Sequence, residues 1–166
     1  EAFEQYKKLA DDENPNAEAN FYVGRYLIDD RIDYENDQNV GISYLEIAAQ
    51  LGCYDALQFH AQEKIAAAMD LRKSLMEAGK LAEADVIMGK MKTECLPMFR
   101  EGAEKGNLRC MKDLADYGAK LGDKKSYDDG YKMLKDIVET TKDSKQKDKA
   151  QGFLEKLEQH EGTVMG

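Results

Sequence analysis

The 166-residue chain is predicted to fold as an all-α solenoid of about three helix pairs with one flanking helix at each end. Two observations predict helices throughout. Only 2 of the 166 residues are Pro, and the strong helix formers Ala, Leu, Lys, Glu and Met are abundant. A third observation predicts the pairing, because two residue patterns with helical spacing recur along the chain.

The first pattern places small, large, large, small and small residues at offsets 0, 3, 4, 7 and 8, which form one face of a helix. It occurs over residues 41–49, 95–103 and 130–138, and less closely over 2–10. Gly52 and Gly106 stand at offset 11 of two copies, where a left-handed glycine commonly ends a helix. Thr141 holds that position in the third copy. The order of sizes predicts helices that pack closely at their ends.

The second pattern has offsets 0, 4 and 5 and follows the first, so that the repeating unit is a helix–turn–helix. Its copies are Ala19, Val23 and Gly24; Ala56, His60 and Ala61; Cys110, Leu114 and Ala115; and the degraded Ala150, Leu154 and Glu155. The interval between the second and third copies exceeds a period of about 36 residues by about 18, which is five helical turns and keeps the packing face in phase. We therefore predict two lengthened helices, over residues 53–78 and 81–104, joined at Gly79 and Lys80.

Cap and turn residues predict where helices begin and end. Asp37 is expected to cap the helix that follows it, and Ser126 with Asp129 is typical of a capping box before the third copy of the first pattern. Asn-Pro-Asn at 14–16 and Gly-Asp at 122–123 predict breaks between helices.

The two patterns together resemble the Sel1-like repeat, a relative of the tetratricopeptide repeat. The resemblance rests on residues 19–24 (ANFYVG), 44–52 (YLEIAAQLG) and 99–106 (FREGAEKG), and it extends from Ala2 to Leu157. His60, where the family usually has Leu, and the 18-residue extension depart from it. The resemblance implies a right-handed superhelix of antiparallel helix pairs that binds proteins and is not an enzyme. Many bacterial members are exported or work at the cell envelope, so an exported or periplasmic location is favoured, with a cytoplasmic one as the alternative.

On this basis residues 1–166 are expected to form a single Sel1-like repeat domain. Its parts are a flanking helix (1–11), a first repeat (17–52), an extended second repeat (53–106), a third repeat (107–141) and a C-terminal capping helix (145–160). The first helix matches the second helix of a pair, so its partner helix is expected upstream of Glu1.

Composition excludes several partners. The formal net charge is -9, which argues against nucleic acid or an anionic membrane surface as a partner. The sequence has no run of about 18 apolar residues, so membrane insertion is not expected. The three cysteines, Cys53, Cys95 and Cys110, do not form a disulfide framework. In an antiparallel pair Cys95 and Cys110 would be offset by about 10 Å along the axis, too far for a disulfide. We predict three unpaired, mostly buried thiols.

No residue set predicts catalysis, a cofactor or a metal. His60 is expected to pack in the core, and His160 lies in the C-terminal tail. The acidic residues Asp33, Glu35 and Asp37 alternate as in a calcium loop. However, Gln38 and Tyr44 replace the glycine and glutamate that such a loop needs, so an acidic interhelix loop is expected. No nucleophile, phosphate-binding or dinucleotide motif is present, and we predict that the protein is not an enzyme.

By the family pattern, the first helix of each pair lines a concave groove that binds a partner. The expected groove residues are Glu18, Phe21, Arg25, Ile28, Gln58, Gln62, Arg109, Lys112, Asp116 and Lys120. Three basic members of the 107–120 segment share a helix face and predict a partner protein or peptide with an acidic segment, and Phe21 and Ile28 would anchor it. Alternatively, Asp113 and Asp116 neutralise this basic face. The family's carboxylate clamp is not matched, because Phe21 and Phe59 replace its Lys and Asn.

The extension is rich in methionine and aliphatic residues: Met69, Leu75, Met76, Ile87, Met88 and Met91. These residues form either the seam between two long helices or a projecting arm that offers flexible Met side chains to a partner. The sequence thus predicts a non-catalytic interaction scaffold, an adaptor or assembly factor. The alternatives are a self-associating structural component and a helical enzyme or ligand-binding domain.

Overall fold

The computed structural model of the protein describes residues 2–29 and 37–164, with the side chains of residues 2–29 and 39–159. These residues form α-helices joined by short turns, without a β-strand, and the all-α prediction is confirmed for them. The helices are α1 (Ala2–Ala10), α2 (Ala17–Ile28), α3 (Asp37–Gln50), α4 (Tyr54–Glu77), α5 (Leu81–Glu94), α6 (Leu96–Glu104), α7 (Leu108–Lys120), α8 (Lys124–Thr140) and α9 (Ser144–Val164).

The chain divides into two compact units, unit 1 (Glu1–His60) and unit 2 (Ala61–Gly166), with the boundary inside α4. In unit 1, α2 packs against both α1 and α3. In unit 2, α7 contacts α6, α8 and α9, and α5 packs against α6. Helix α2 is therefore the central helix of unit 1, and α7 that of unit 2.

Four turns have the same construction, each with a glycine in the left-handed region. The φ angles are 96° at Gly52, 78° at Gly79, 93° at Gly106 and 74° at Gly122. At Gly106, the N–H donates to the carbonyl of Ala103 while the next N–H donates to Gly102, and the same pair of bonds recurs at the other three. This Schellman arrangement satisfies carbonyls that a helix end leaves open. The predicted stops at Gly52 and Gly106 and the breaks at 79–80 and 122–123 are confirmed.

Asparagine caps begin the central helix of each unit. The side-chain oxygen of Asn16 accepts from the N–H of Ala19, and that of Asn107 accepts from the N–H of Cys110, both at 2.9 Å. An N-cap of this kind contributes about 1 kcal/mol to helix stability. In both copies the cap stands three residues before the first position of the second pattern, so the repeat includes the cap as well as the core.

The predicted capping box at Ser126 is wrong. Helix α8 already begins at Lys124, directly after the left-handed turn at Gly122, so Ser126 is the third residue of the helix. Its hydroxyl donates to the carboxylate of Asp123 at 3.0 Å. Asp129 instead accepts from Arg100 at 2.8 Å and from Lys125 at 3.1 Å. The side chain of Asp37, the other predicted cap, lies outside the described side chains; in the backbone this residue is the first of α3.

The lengthened middle pair is correct for one helix and wrong for the other. Helix α4 has 24 residues, as the extension predicts. The second predicted helix, 81–104, is two helices that meet at Cys95, because Pro97 stands in the first turn of α6. Proline has no N–H to donate to the preceding turn and its ring crowds that turn, whereas the first turn of a new helix accommodates it.

The second large position of the first pattern is buried in each of its three close copies. Of the first pattern's large positions, Leu45, Phe99 and Leu134 are almost completely buried, and Val23 and Leu114 of the second pattern are too. The copy over residues 2–10 is the exception: Leu9 is 49% exposed, whereas Phe3 and Ala10 are in the core of unit 1. The predicted register of α1 is therefore wrong by one residue at its start, because the helix turns its largest apolar side chain, Phe3, inward.

Glycines of the first pattern are points of close helix contact. A Cβ on Gly41 would lie 3.0 Å from the carbonyl oxygen of Gly24, and a Cβ on Gly24 would lie 2.9 Å from that of Gly41. In unit 2, a Cβ on Gly130 would lie 2.5 Å from the carbonyl oxygen of Met111. These distances are shorter than carbon–oxygen contacts allow, so only glycine permits α2 to meet α3 and α7 to meet α8 in this way.

We predict that Phe99→Ala lowers the free energy of unfolding by about 3–5 kcal/mol, because it empties a fully buried position. The matched control is Leu9→Ala, which removes an exposed apolar side chain and should change stability by less than about 0.5 kcal/mol. Chemical denaturation of the three proteins measures both effects. Equal midpoints for Phe99→Ala and the parent would mean that the repeats are wrongly aligned.

Candidate functional site

The residues predicted to line a groove fall into both units. Unit 1 contains Glu18, Phe21, Arg25, Ile28 and Gln58, and unit 2 contains Gln62, Arg109, Lys112, Asp116 and Lys120.

In unit 1 the guanidinium of Arg25 lies over two aromatic rings. Its central carbon is 5.5 Å from the ring centre of Phe21 and 5.2 Å from that of Phe59. The two phenyl rings are nearly perpendicular, with centres 6.3 Å apart. Each such contact contributes about 0.5–1 kcal/mol when partly exposed. The rings therefore fix the position of a long side chain that would otherwise be mobile.

Arg25 has no carboxylate within ion-pair distance among the residues that the structure describes. Its side chain is half-buried. The group carries five N–H donors in a planar fork that matches a carboxylate in two hydrogen bonds. The arrangement is a positioned cation with unused donors.

Phe21 and Ile28 do not serve as exposed anchors. Each is 9% exposed, and both pack with Leu45, Ala48 and Ala56 in the core of unit 1. The expectation that they contact a partner is corrected, because their apolar surface is already covered by α3 and α4. Phe59, absent from the predicted groove set, is half-buried and adjoins Arg25. The family pattern places Arg25 and Phe21 in one set, and they are four residues apart on α2, whereas Phe59 comes from α4.

In unit 2 the basic face of α7 is largely neutralised. The ammonium of Lys120 is 3.0 Å from the carboxylate of Asp116, and that of Lys112 is 3.6 Å from the carboxylate of Asp113. The alternative interpretation of this face is thus confirmed for two of its three cations. Arg109 is exposed and has no ion-pair partner in the described part of the chain. It is the remaining cation of this face that a partner can use.

The sequence does not predict that the carboxylate of Asp113 is buried. It is 1% exposed, lies between Lys112 and Leu114, and accepts from the side-chain amide of Gln62 at 3.0 Å. A buried charge without such partners costs several kcal/mol. Gln62 of α4 and Lys112 of α7 therefore compensate this carboxylate and are not free for a partner. Burial, together with Asp113 and Asp116, raises the pKa of the neighbouring Tyr117 to about 12.

The two units differ in charge. Residues 1–60 contain 13 Asp and Glu but only 4 Lys and Arg, whereas residues 61–166 contain 20 of each kind. The whole net charge of -9 therefore comes from unit 1. Arg25 is one of four Lys and Arg residues in this acidic segment. It has no carboxylate partner among the described residues even though carboxylates are abundant there.

The extension contains both buried and exposed members of the predicted set. Met91 is buried, and Leu75, Ile87 and Met88 are half-buried, as expected of a seam between α4 and α5. Met69 and Met76 are exposed.

The remaining candidates give no site. Among the described residues, no three His, Cys, Asp or Glu side chains converge as metal ligands, and no helix is long and apolar enough to cross a membrane. His60 is half-buried and has an interaction partner. The calcium-like residues Asp33 and Glu35 lie outside the described residues, as does the side chain of His160.

Comparison of the chain with models of known protein families, with curated proteins and with solved structures found no match. The resemblance to Sel1-like repeats therefore remains an expectation from the residues themselves.

None of the three cysteines forms a disulfide, as predicted, with Cys95 and Cys110 buried and Cys53 half-buried. Burial raises the pKa of the Cys53 and Cys95 thiols, which lowers the fraction of reactive thiolate at neutral pH.

We expect an aromatic disulfide reagent to modify Cys53 first in the native protein, and Cys95 and Cys110 only on unfolding. In denaturant without reductant, three thiols should titrate; two or fewer would contradict the assignment.

Proposed function

We propose that the protein is a non-catalytic scaffold, an adaptor or assembly factor, that binds a partner protein through a solenoid of Sel1-like helix pairs. The observation that carries the proposal is the guanidinium of Arg25, which two phenyl rings hold in place and which has no acidic partner among the described residues. A positioned but unpaired cation is typical of recognition sites, because ordering it costs little further entropy on binding.

The partner feature that suits Arg25 is a carboxylate, from an Asp or Glu side chain or from a chain terminus. The planar guanidinium forms two parallel hydrogen bonds with a carboxylate, and such charge-assisted bonds are roughly twice as strong as neutral ones. The half-buried ring of Phe59 beside it supports an apolar contact next to the acidic group. In unit 2, exposed Arg109 supports a separate contact of the same kind.

The acidic surplus of unit 1 opposes an acidic partner at long range. At physiological salt, however, exposed charges more than about 8 Å apart are largely screened. Glu18, two helical turns before Arg25, lies about 10 Å away along the helix axis. The short-range contact with Arg25 therefore decides whether a carboxylate binds, and the long-range repulsion mainly slows its approach.

The test is a peptide library displayed against the whole chain, followed by affinity measurement for the selected peptides. We predict that these peptides contain Asp, Glu or a free C-terminal carboxylate. Arg25→Gln should lower the affinity of the protein for them about tenfold or more, because a hydrogen bond to a charged group contributes about 1.5–3 kcal/mol. Arg25→Lys should restore little, because an ammonium lacks the planar fork.

The matched control is Lys8→Gln, which removes the same charge from an exposed position of unit 1. Its affinity should equal that of the parent within about twofold. Selected peptides that bind Arg25→Gln as tightly as the parent, or that lack a carboxylate, would contradict the proposed recognition.

A further inference from the structure

A groove between α4 and α5 in unit 2 is open to solvent and mostly apolar. Ala68 and Leu71 line it from α4, and Ile87 and Met91 line it from α5. The ion pair of Lys64 with Glu94, 3.3 Å apart, stands at the end nearer the core. The groove encloses about 160 Å³. That volume is similar to an apolar cavity of about 150 Å³ that accommodates benzene, so it has room for one aliphatic side chain.

One apolar side chain that lines this groove and one beside it are among the most exposed apolar side chains of the described chain. Leu71 is 50% exposed, and Val86, on α5 beside Ile87, is 67% exposed. Covering a side chain of this size gains about 1.5–3 kcal/mol. The surface therefore has two complementary parts. Val86 is an exposed apolar side chain, and the groove is a space that a side chain of the size of Val would fill.

Charges of opposite sign flank this apolar surface on α5. Glu83 and Lys90 are seven residues apart, about two helical turns, and therefore share a face with Val86 and Ile87 between them. Both are exposed, and neither has an ion-pair partner among the described residues. The spacing is symmetric, because Glu83 and Lys90 are equally far from the midpoint between Val86 and Ile87.

We propose that this surface binds a second copy of the same chain, with the two α5 helices antiparallel about a two-fold axis between Val86 and Ile87. In that arrangement Glu83 of each copy faces Lys90 of the other, and Val86 of each copy enters the groove of the other beside Leu71. The interface is isologous, so one surface supplies both the acidic and the basic member of every pair. This site is separate from Arg25 and does not rest on the proposed function.

Charge reversal distinguishes a second copy from any other occupant. In the parent both pairs are attractive. In Glu83→Lys both pairs become Lys against Lys, and in Lys90→Glu both become Glu against Glu. When the two variants are mixed, each contact again joins opposite charges. An interface with any molecule other than this chain does not predict that two non-associating variants associate with each other.

The experiment is sedimentation equilibrium of the whole chain up to about 1 mM, a concentration that detects weak interfaces. The weight-average mass of the parent should rise from 18.8 kDa towards twice that value. Each single variant should associate about tenfold more weakly, because two exposed pairs change from attraction to repulsion. An equimolar mixture, and the double variant Glu83→Lys with Lys90→Glu, should recover the parent's association.

The matched control is the exposed pair Lys132 and Glu139 of α8, which has the same seven-residue spacing. Lys132→Glu and Glu139→Lys should associate as the parent does, and circular dichroism should show every variant folded. A parent that stays at 18.8 kDa throughout, single variants that associate like the parent, or a mixture that does not recover association would each overturn the proposal.

Discussion

Contact between helix backbones at glycine determines how the helices of each unit pack. In unit 1 the carbonyl oxygen of Gly41 lies 2.9 Å from where a Cβ on Gly24 would be, and that of Gly24 lies 3.0 Å from where a Cβ on Gly41 would be, while in unit 2 Gly130 fits against the backbone of Met111. A large side chain follows four residues after the glycine, Leu45 in one case and Leu134 in the other, and both are almost fully buried. The glycine permits the approach, and the leucine fills the space that the approach encloses.

The close contact of helices at glycine explains why the core residues and the helix stops could be predicted from the sequence. The order of small and large residues is the packing itself, so it identified Phe99 and Leu114 as core residues, and the glycine stops followed from the need for positive φ. Three errors have local causes. Pro97 divides a long helix, Phe3 sets the register of α1, and the turn at Gly122 moves the start of α8 before Ser126. Each is a single residue whose geometry outweighs a repeating pattern.

The candidate site was only partly readable from the sequence. Helical spacing placed Phe21 beside Arg25 and Asp116 beside Lys120, because these partners lie four residues apart on one helix. Phe59 and Gln62 come from another helix, and their contacts with Arg25 and Asp113 depend on tertiary packing. The two proposals follow from this difference between satisfied and unsatisfied groups. Most charges of α7 are paired within the chain, whereas Arg25, Glu83 and Lys90 have no ion-pair partner among the described residues.

The most direct test of the packing account compares Gly130→Ala with Gly152→Ala by chemical denaturation. Both glycines are inside helices, but a Cβ on Gly152 meets nothing within 4 Å. Gly152→Ala should therefore stabilise the protein by about 0.5–1 kcal/mol through helix propensity. Gly130→Ala should destabilise it by about 1–3 kcal/mol, because α7 and α8 must move apart. Equal stabilisation by both substitutions would contradict a backbone contact at Gly130.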